Sequence, residues 1–273
     1  MRSHYQRLRR KMAVTLLPET QDYVQRVIAA SGTISNAAMQ ATDQFVRALL
    51  DNSLWQKAIE IGVFAGDNLN AALVKLKYRP GGSSSLTNNG FVAGDYIETG
   101  TNGGLLGNGT SKYLNTQTSP ANLGPTGHAS FYLRESFSSG EWRSMIATQD
   151  ALDIFGLRRG VLATQNTGLW GKNAAACESA APVAGFYIAN RQTSSLVQLF
   201  RSGQLIGTET SAVTVNCHAQ SFLLFAHNNN GSAAEYLNRR GCFYSLGSPL
   251  TNTEAALLSS FVQTLETALN RQV

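Results

Sequence analysis

The sequence predicts a mainly β protein: an antiparallel two-sheet jelly-roll sandwich with an N-terminal helical region and a C-terminal helix. Three observations lead there. From residue 79 onward, short apolar runs alternate with Gly, Asn and Ser, and no helical crossover pattern separates them. The stretch "LFRSGQLIGT" (199–208) reads as two strands folded over a Ser202-Gly203 turn, apolar on both sides. The closing "TNTEAALLSSFVQTLETALNRQV" carries a capping box and one apolar stripe.

Taken in order, residues 1–17 form a basic arm. Arg2, Arg7, Arg9, Arg10 and Lys11 stand there with no acid among the first eleven residues. The remaining 17 Lys and Arg equal the 17 Asp and Glu, so the net charge of +5 belongs to the arm alone. Such an arm lies along an acidic neighbour in an assembly, grips phosphates of a nucleic acid, or hangs as a disordered tail.

Residues 18–77 read as a helical anchoring region. Pro18, Glu19 and Asp22 suit a first turn, Tyr23, Val24, Val27 and Ile28 make a stripe, and Ser31-Gly32 ends it. Ile34, Ala38, Phe45 and Leu49 give a second stripe, and Trp55, Ile59, Ile61, Val63 and Phe64 continue the apolar segment. The stripes fit a hairpin docked on its own domain or a coiled interface with a partner.

"RPGGSSSLTNNG" (79–90) is a loop. Candidate strands follow at 129–136, 144–148, 185–190, 199–208, 221–227 and 242–247. With two residues between the strands of the 199–208 ribbon, Phe200 faces Leu205 and Leu199 faces Ile206. A terminal helix, the region before residue 78 or a neighbouring subunit would cover the ribbon's second face. At the end of the chain, Thr251 and Glu254 form the capping box, and Leu258, Phe261, Leu265 and Leu269 share one helix face with Val262 beside them.

Charged residues make up 14% of the chain, against about 25% in a typical globular protein. The surface is therefore neutral and polar. No apolar run approaches the ~20 residues of a membrane span, and "MAVTLLP" is too short for a secretory signal. Cys177, Cys217 and Cys242 lack metal spacing and read as free thiols of a chain made in a reducing cytoplasm. Asn108-Gly-Thr and Asn230-Gly-Ser read as turns.

The catalytic signals are weak. Glycoside hydrolysis needs two carboxyl groups roughly 5 to 10 Å apart; Glu135 and Glu141 flank what reads as a hairpin tip, and Asp150 and Asp153 a turn. His4, His128, His218 and His227 are scattered, and adjacent Cys217 and His218 point to opposite faces of a strand. "HNNNGS" (227–232) lacks the carboxylates of a calcium site. "RSGQ" is a turn rather than a nucleophile elbow, and "TNGGLLGNGTSK" (101–112) lacks the Gly-Lys-Ser/Thr of a phosphate loop. Trp142 and Trp170, in "SGEWRS" and "GLWGKN", are a candidate glycan platform; the competing reading folds each back onto the core or a neighbour.

The pieces "NLNAALVKLKY" (68–78), "GLLGNGTSKYLNT" (104–116), "ASFYLRE" (129–135), "GFYIANRQTSSLVQLFRSGQLIGT" (185–208) and "LTNTEAALLSSFVQTLETALNRQV" (250–273), in this order, resemble the concanavalin-A-like, laminin-G-type jelly-roll domains of phage virion proteins. The resemblance covers about residues 65–273. It implies a two-sheet sandwich with a virion or host-contact role, often at the tail. The expected organisation is an arm (1–17), a helical anchor (18–77) and a jelly roll with its C-terminal helix (78–273). The expected function is a non-enzymatic structural protein of a phage-like virion, a tail, fibre or decoration component acting through subunit assembly. Its partners would be other virion proteins and copies of itself, with no cofactor. The alternative is a carbohydrate-binding, receptor-recognition module of a virion, contacting a host surface glycan.

Overall fold

The computed structural model describes residues 16–137, 143–159, 165–171, 176–180, 183–210 and 212–273. Its helices are α1 (Pro18–Ala29), α2 (Asn36–Asp51), α3 (Leu54–Lys57), α4 (Leu69–Ala72), α5 (Pro120–Leu123) and α6 (Asn252–Ala268). The strands are β1 (Ala58–Gly62), β2 (Thr87–Asn89), β3 (Tyr96–Ile97), β4 (Gly104–Leu106), β5 (Tyr113–Asn115), β6 (Gly127–Leu133), β7 (Arg143–Gln149), β8 (Ile154–Arg159) and β9 (Gln165–Gly171). They continue with β10 (Ala176–Ala180), β11 (Gly185–Thr193), β12 (Leu196–Arg201), β13 (Gln204–Glu209), β14 (Leu223–Leu224), β15 (His227–Asn229), β16 (Ser232–Ala234) and β17 (Arg240–Gly247).

Two sheets stack into a jelly-roll-like sandwich. The first runs β13-β12-β11-β6-β17-β4-β3, with β1 on β17; the second runs β10-β9-β8-β7-β14-β5-β2, with β15 on β7 and β16 on β15. Among the described residues all strand pairings are antiparallel except β15 on β7, which is parallel. Helices α1, α2 and α6 lie on the outer face of the first sheet, so its central strands are buried on both faces. That burial explains their continuous apolar runs. In β6, Ala129, Phe131 and Leu133 enter the layer between the sheets, whereas Tyr132 enters the layer beneath the helices. In β11, Tyr187 and Ala189 face one way and Phe186 and Ile188 the other.

The ribbon at 199–208 follows the same rule. Ser202 (φ 46°) and Gly203 (φ 84°) form the two-residue turn with both φ positive. Phe200 pairs with Leu205, as expected, but a bulge sets Leu199 opposite Gly207 instead of Ile206. Leu199 enters the sandwich and Phe200 packs under the helices, with Leu258 and Val262 of α6 in the same layer. The chain's own helices thus cover the second face.

Three expectations need correction. Residues 18–77 are not helical throughout: Ala58–Gly62 is a strand paired with β17. Period-two alternation of Ile59, Ile61 and Val63 outweighs the helical reading, and Gly62 lies against Tyr244, where a Cβ would sit 2.1 Å from the ring. In α1 the stripe is narrower than expected, since Tyr23 and Val27 are fully buried while Ile28 is 58% exposed. The run 221–227 is broken into β14 and β15 at Phe225, whose φ of 63° turns the chain. Its ring is buried among Phe64, Phe91 and Phe131, at centroid distances of 6.2, 5.2 and 5.4 Å, a cluster that offsets the backbone cost.

The C-terminal helix forms as read. Thr251 Oγ1 accepts from Glu254 N (3.3 Å), and Glu254 Oε2 accepts from Thr251 N (2.7 Å). Beyond it, fully buried Arg271 pairs with Glu266 (2.6 Å) and donates to the carbonyls of Val63 and Phe64, each at 2.7 Å. A second buried pair, Glu60–Lys75 (3.1 Å), is completed by Thr118 Oγ1 and Tyr244 OH donating to Glu60 at 2.6 and 2.7 Å. Both pairs tie the N-terminal region into the sandwich.

Candidate functional site: a neutral groove beside the C-terminal helix

The tip of the β12–β13 ribbon abuts α6. A Cβ on Gly203 would lie 3.5 Å from Ser259 Cβ and 3.6 Å from Ala256 Cα. Beside this contact a groove of about 690 Å³ opens between turn and helix, within the size range of small-ligand sites. Phe186, Ala256, Ala268 and Val273 supply its apolar surface. The turn contributes Ser202 and Gln204. Ser259, Ser260, Gln263, Thr264 and Thr267 project from one side of α6, and none of the lining residues has a charged side chain.

The groove is wired to the framework at Gln263. Tyr132 OH donates to Gln263 Oε1 (2.9 Å) and accepts from Val273 N (2.9 Å). Burial pushes the Tyr132 phenol up to about 12, so it remains a neutral donor. With its oxygen engaged, Gln263 has its amide NH₂ left to offer. Ser259, Thr264 and Thr267 donate their hydroxyl protons to the carbonyls of Ala255, Ser260 and Gln263 at 2.8, 2.9 and 2.8 Å. Their oxygens keep acceptor capacity.

The residues singled out by sequence lie elsewhere. Arg2, Arg7, Arg9, Arg10, Lys11, His4, Glu141 and Trp142 fall outside the described residues. Trp170 is a correction: it is fully buried, with its ring edge-on to Phe155 at 5.5 Å, and offers no platform. Its place on β9 opposite Phe155 of β8 directs it into the sandwich. Asp150 and Asp153 form the expected turn, with Asp150 Oδ1 accepting from Leu152 N and Asp153 N (2.8 and 2.7 Å). Glu135 sits 3.5 Å from Arg240.

His128 is buried between Ser248 O and Ser245 Oγ (2.7 and 3.0 Å), and burial lowers its pKa to about 4. Cys217 and His218 are not on a strand, as the sequence suggested, but in an irregular stretch where His218 meets the Phe155 ring at 5.2 Å. Cys217 and Cys242 are free thiols. No trio of His, Cys, Asp or Glu among the described residues is placed to hold a metal ion. In 227–232, Asn228 Oδ1 accepts from Gly231 N (2.9 Å), closing a turn. In 101–112, Asn108 Oδ1 accepts from the amides of Thr110, Ser111 and Lys112 at 3.1, 3.0 and 3.0 Å, so those donors are already engaged.

Sequence reasoning missed a polar cluster on the second sheet. Glu235, at a positive φ of 51°, accepts from Ser144 Oγ (2.8 Å) and Arg158 Nε (2.9 Å), with His227 Nδ1 3.6 Å away. Despite the opposing effect of burial, these partners hold the Glu235 carboxyl down at about 2. A group so firmly ionised is a poor proton donor or base near neutrality. Glu98 is raised, by burial first; Gly66 N donates to it at 2.6 Å, and the Asp67 charge adds to the rise. The groove was missed too. Its signal was an outward helix face of Ser, Thr and Gln without the charges of an ordinary surface helix.

No family model matches the chain, and neither does any curated protein. Among solved structures, a mutant Trypanosoma rangeli sialidase displaying trans-sialidase activity is 12% identical, with a TM-score of 0.50 over 82% of this chain and 39% of that one. The Ruminococcus gnavus IT-sialidase CBM40 bound to α2,3-sialyllactose is 12% identical, with a TM-score of 0.44 over 57% of this chain and 95% of that one. The binding domain of botulinum neurotoxin DC in complex with SialylT is 10% identical, with a TM-score of 0.43 over 58% of this chain and 42% of that one. This chain thus spans well under half of the sialidase and of the toxin fragment. At such identities the likeness establishes the fold alone: a mainly β, two-sheet, jelly-roll-like sandwich.

Proposed function

We propose that this chain is a non-catalytic carbohydrate-binding domain, and that its glycan lies in the groove between the 202–204 turn and α6. The observation that carries this reading is the lining: a cleft of about 690 Å³ with an apolar floor and hydroxyl and amide side chains along its walls. Sugars present apolar ring faces and dense hydroxyls, and this lining matches both. Its side chains stand on a helix and a tight turn packed against each other, so little ordering is needed on binding. The ionised, salt-bridged Glu235 and the sealed Glu60 and Glu266 are unsuited to paired acid–base chemistry.

The test is a glycan array probed with the full chain, followed by calorimetry with the best ligand on Gln204→Ala and Gln263→Ala. Each variant removes a groove hydrogen-bonding group worth about 1 kcal/mol, so affinity falls roughly 5- to 10-fold per change. Unaltered affinity in both would refute the groove. Loss of binding in Trp142→Ala alone would move the site to that residue.

The basic arm favours a second reading at the level of the assembly. Five cations in the first eleven residues of an otherwise charge-balanced chain suit attachment to an acidic neighbour, and the resemblance over 65–273 suits a phage-like virion as the setting. In this reading the arm fastens the subunit and the sandwich presents its groove to a host glycan. Deletion of residues 1–11 would then abolish assembly while leaving glycan affinity intact, as sedimentation and calorimetry would show.

A further inference from the structure

The polarity of the groove narrows the ligand class, granted that the groove is the carbohydrate site. We propose that it selects uncharged glycans and rejects acidic ones such as sialylated or uronic-acid chains.

Three independent features point the same way. First, no cationic side chain among the described residues lines the groove, so a carboxylate entering it would shed water without a charged partner, which is costly. Second, the hydrogen-bonding groups of the lining are neutral and mixed, with amide groups at Gln204 and Gln263, hydroxyls at Ser202 and Ser260, and exposed acceptor oxygens at Thr264 and Thr267. The protons of Ser259, Thr264 and Thr267 are committed to helix carbonyls, and Tyr132 OH is committed to Gln263 Oε1. The Gln263 amide is therefore an oriented donor beside the exposed oxygens of Thr264 and Thr267. A sugar hydroxyl both donates and accepts and so meets this mixture, whereas a carboxylate only accepts and leaves the Thr264 and Thr267 oxygens without a donor. Third, the groove runs along α6 to its last turn at Thr267 and Ala268, and that turn holds no basic residue. The partial negative charge of the helix C-terminus therefore faces the groove's far end without a cation on the same turn, again disfavouring an anion.

The decisive experiment uses the full chain on matched glycan pairs, each neutral chain beside its acidic counterpart, lactose against α2,3-sialyllactose among them. The account expects binders to be neutral members, preferred by at least about 10-fold over their acidic partners. Gln263→Glu replaces the oriented donor with an acceptor while keeping an oxygen for Tyr132, and should lower neutral-glycan affinity by about 10-fold. Thr264→Lys places a cation on the exposed wall and should narrow or invert the preference. Acidic members binding as tightly as neutral ones would overturn the selectivity while leaving the carbohydrate reading intact. Binding to no member of any pair would overturn both. A preference left unchanged by both variants would show that the groove does not set it. Thermal melts of each variant, expected within a few degrees of the parent, separate these outcomes from unfolding.

Discussion

The two apolar layers of this protein are closed in different ways. The layer between the sheets is shut by rings meeting rings: Phe225 contacts Phe64, Phe91 and Phe131, and Phe155 contacts Trp170. The layer beneath the helices also has an aromatic centre, Phe45–Phe243–Phe186 with centroids 5.6 Å apart at each contact. Its margin, however, is sealed by buried Arg271, which joins α6 to the carbonyls of residues 63 and 64. Each layer also holds a buried ion pair: Glu60–Lys75 meets Tyr244 of the first, and Arg271–Glu266 closes the margin of the second. In both layers residues 18–77 supply part of the sandwich's closure, through β1, Lys75 and the helices over Phe186 and Phe243.

Deleting residues 1–77 puts this view at greatest risk. The cut removes β1, Lys75 and the helices over Phe186 and Phe243, so no cooperatively folded remainder is expected by circular dichroism and calorimetry. A remainder with a sharp melt would restore the separate-anchor view. Next comes Arg271→Ala, which strands Glu266 without its cation. A loss of about 3–5 kcal/mol is expected in urea unfolding, with part recovered in Arg271→Ala/Glu266→Gln. A cost below about 1 kcal/mol would show that the margin is not held by this pair.

Leu199→Ala and Phe200→Ala compare the layers on one strand, since the two side chains enter opposite sides. Each should cost about 2–5 kcal/mol. A much smaller cost at Phe200 would mean that the helix layer is loosely packed. The first sheet also has an acid-sensitive point at His128. Its folded pKa of about 4 lies below the ordinary histidine value of 6.5, so the unfolded chain takes up the proton first. The stabilisation is complete above about pH 6.5 and is lost as pH falls towards 4, by up to about 3 kcal/mol. Glu235, lowered from 4.5 to about 2, adds a further loss between those values. His128→Gln should flatten the stability slope between pH 6.5 and 4 and leave the lower one. The smallest effect is at the groove: Gln204→Ala, on the exposed turn, should change stability by no more than about 0.5 kcal/mol, since its work is binding.

Much of this fold was legible because its signals are local. The Ser202-Gly203 turn, the Thr251/Glu254 capping box and the doubly apolar strands each sit within a few residues of one another. What escaped depends on distant partners. Ala58–Gly62 becomes a strand because β17 receives it, and Glu60 is tolerated inside because Lys75, Thr118 and Tyr244 meet it there. Nothing in "AIEIG" announces those contacts. The groove is likewise assembled from a turn and a helix far apart in sequence, and its small hydroxyl residues look like ordinary surface. Trp170 attracted attention through its neighbouring glycines, yet pairing with β8 sends it inward.

The central claim is that the neutral cleft beside α6 holds the ligand. It is tested most directly by titrating an isotopically labelled chain with its best neutral glycan and following the amide resonances. The account predicts that the Gln263 side-chain amide and the Gly203 backbone amide shift first and furthest. Shifts confined to the outer face of the second sheet, around Glu235 and Arg158, with Gln263 unmoved, would contradict it.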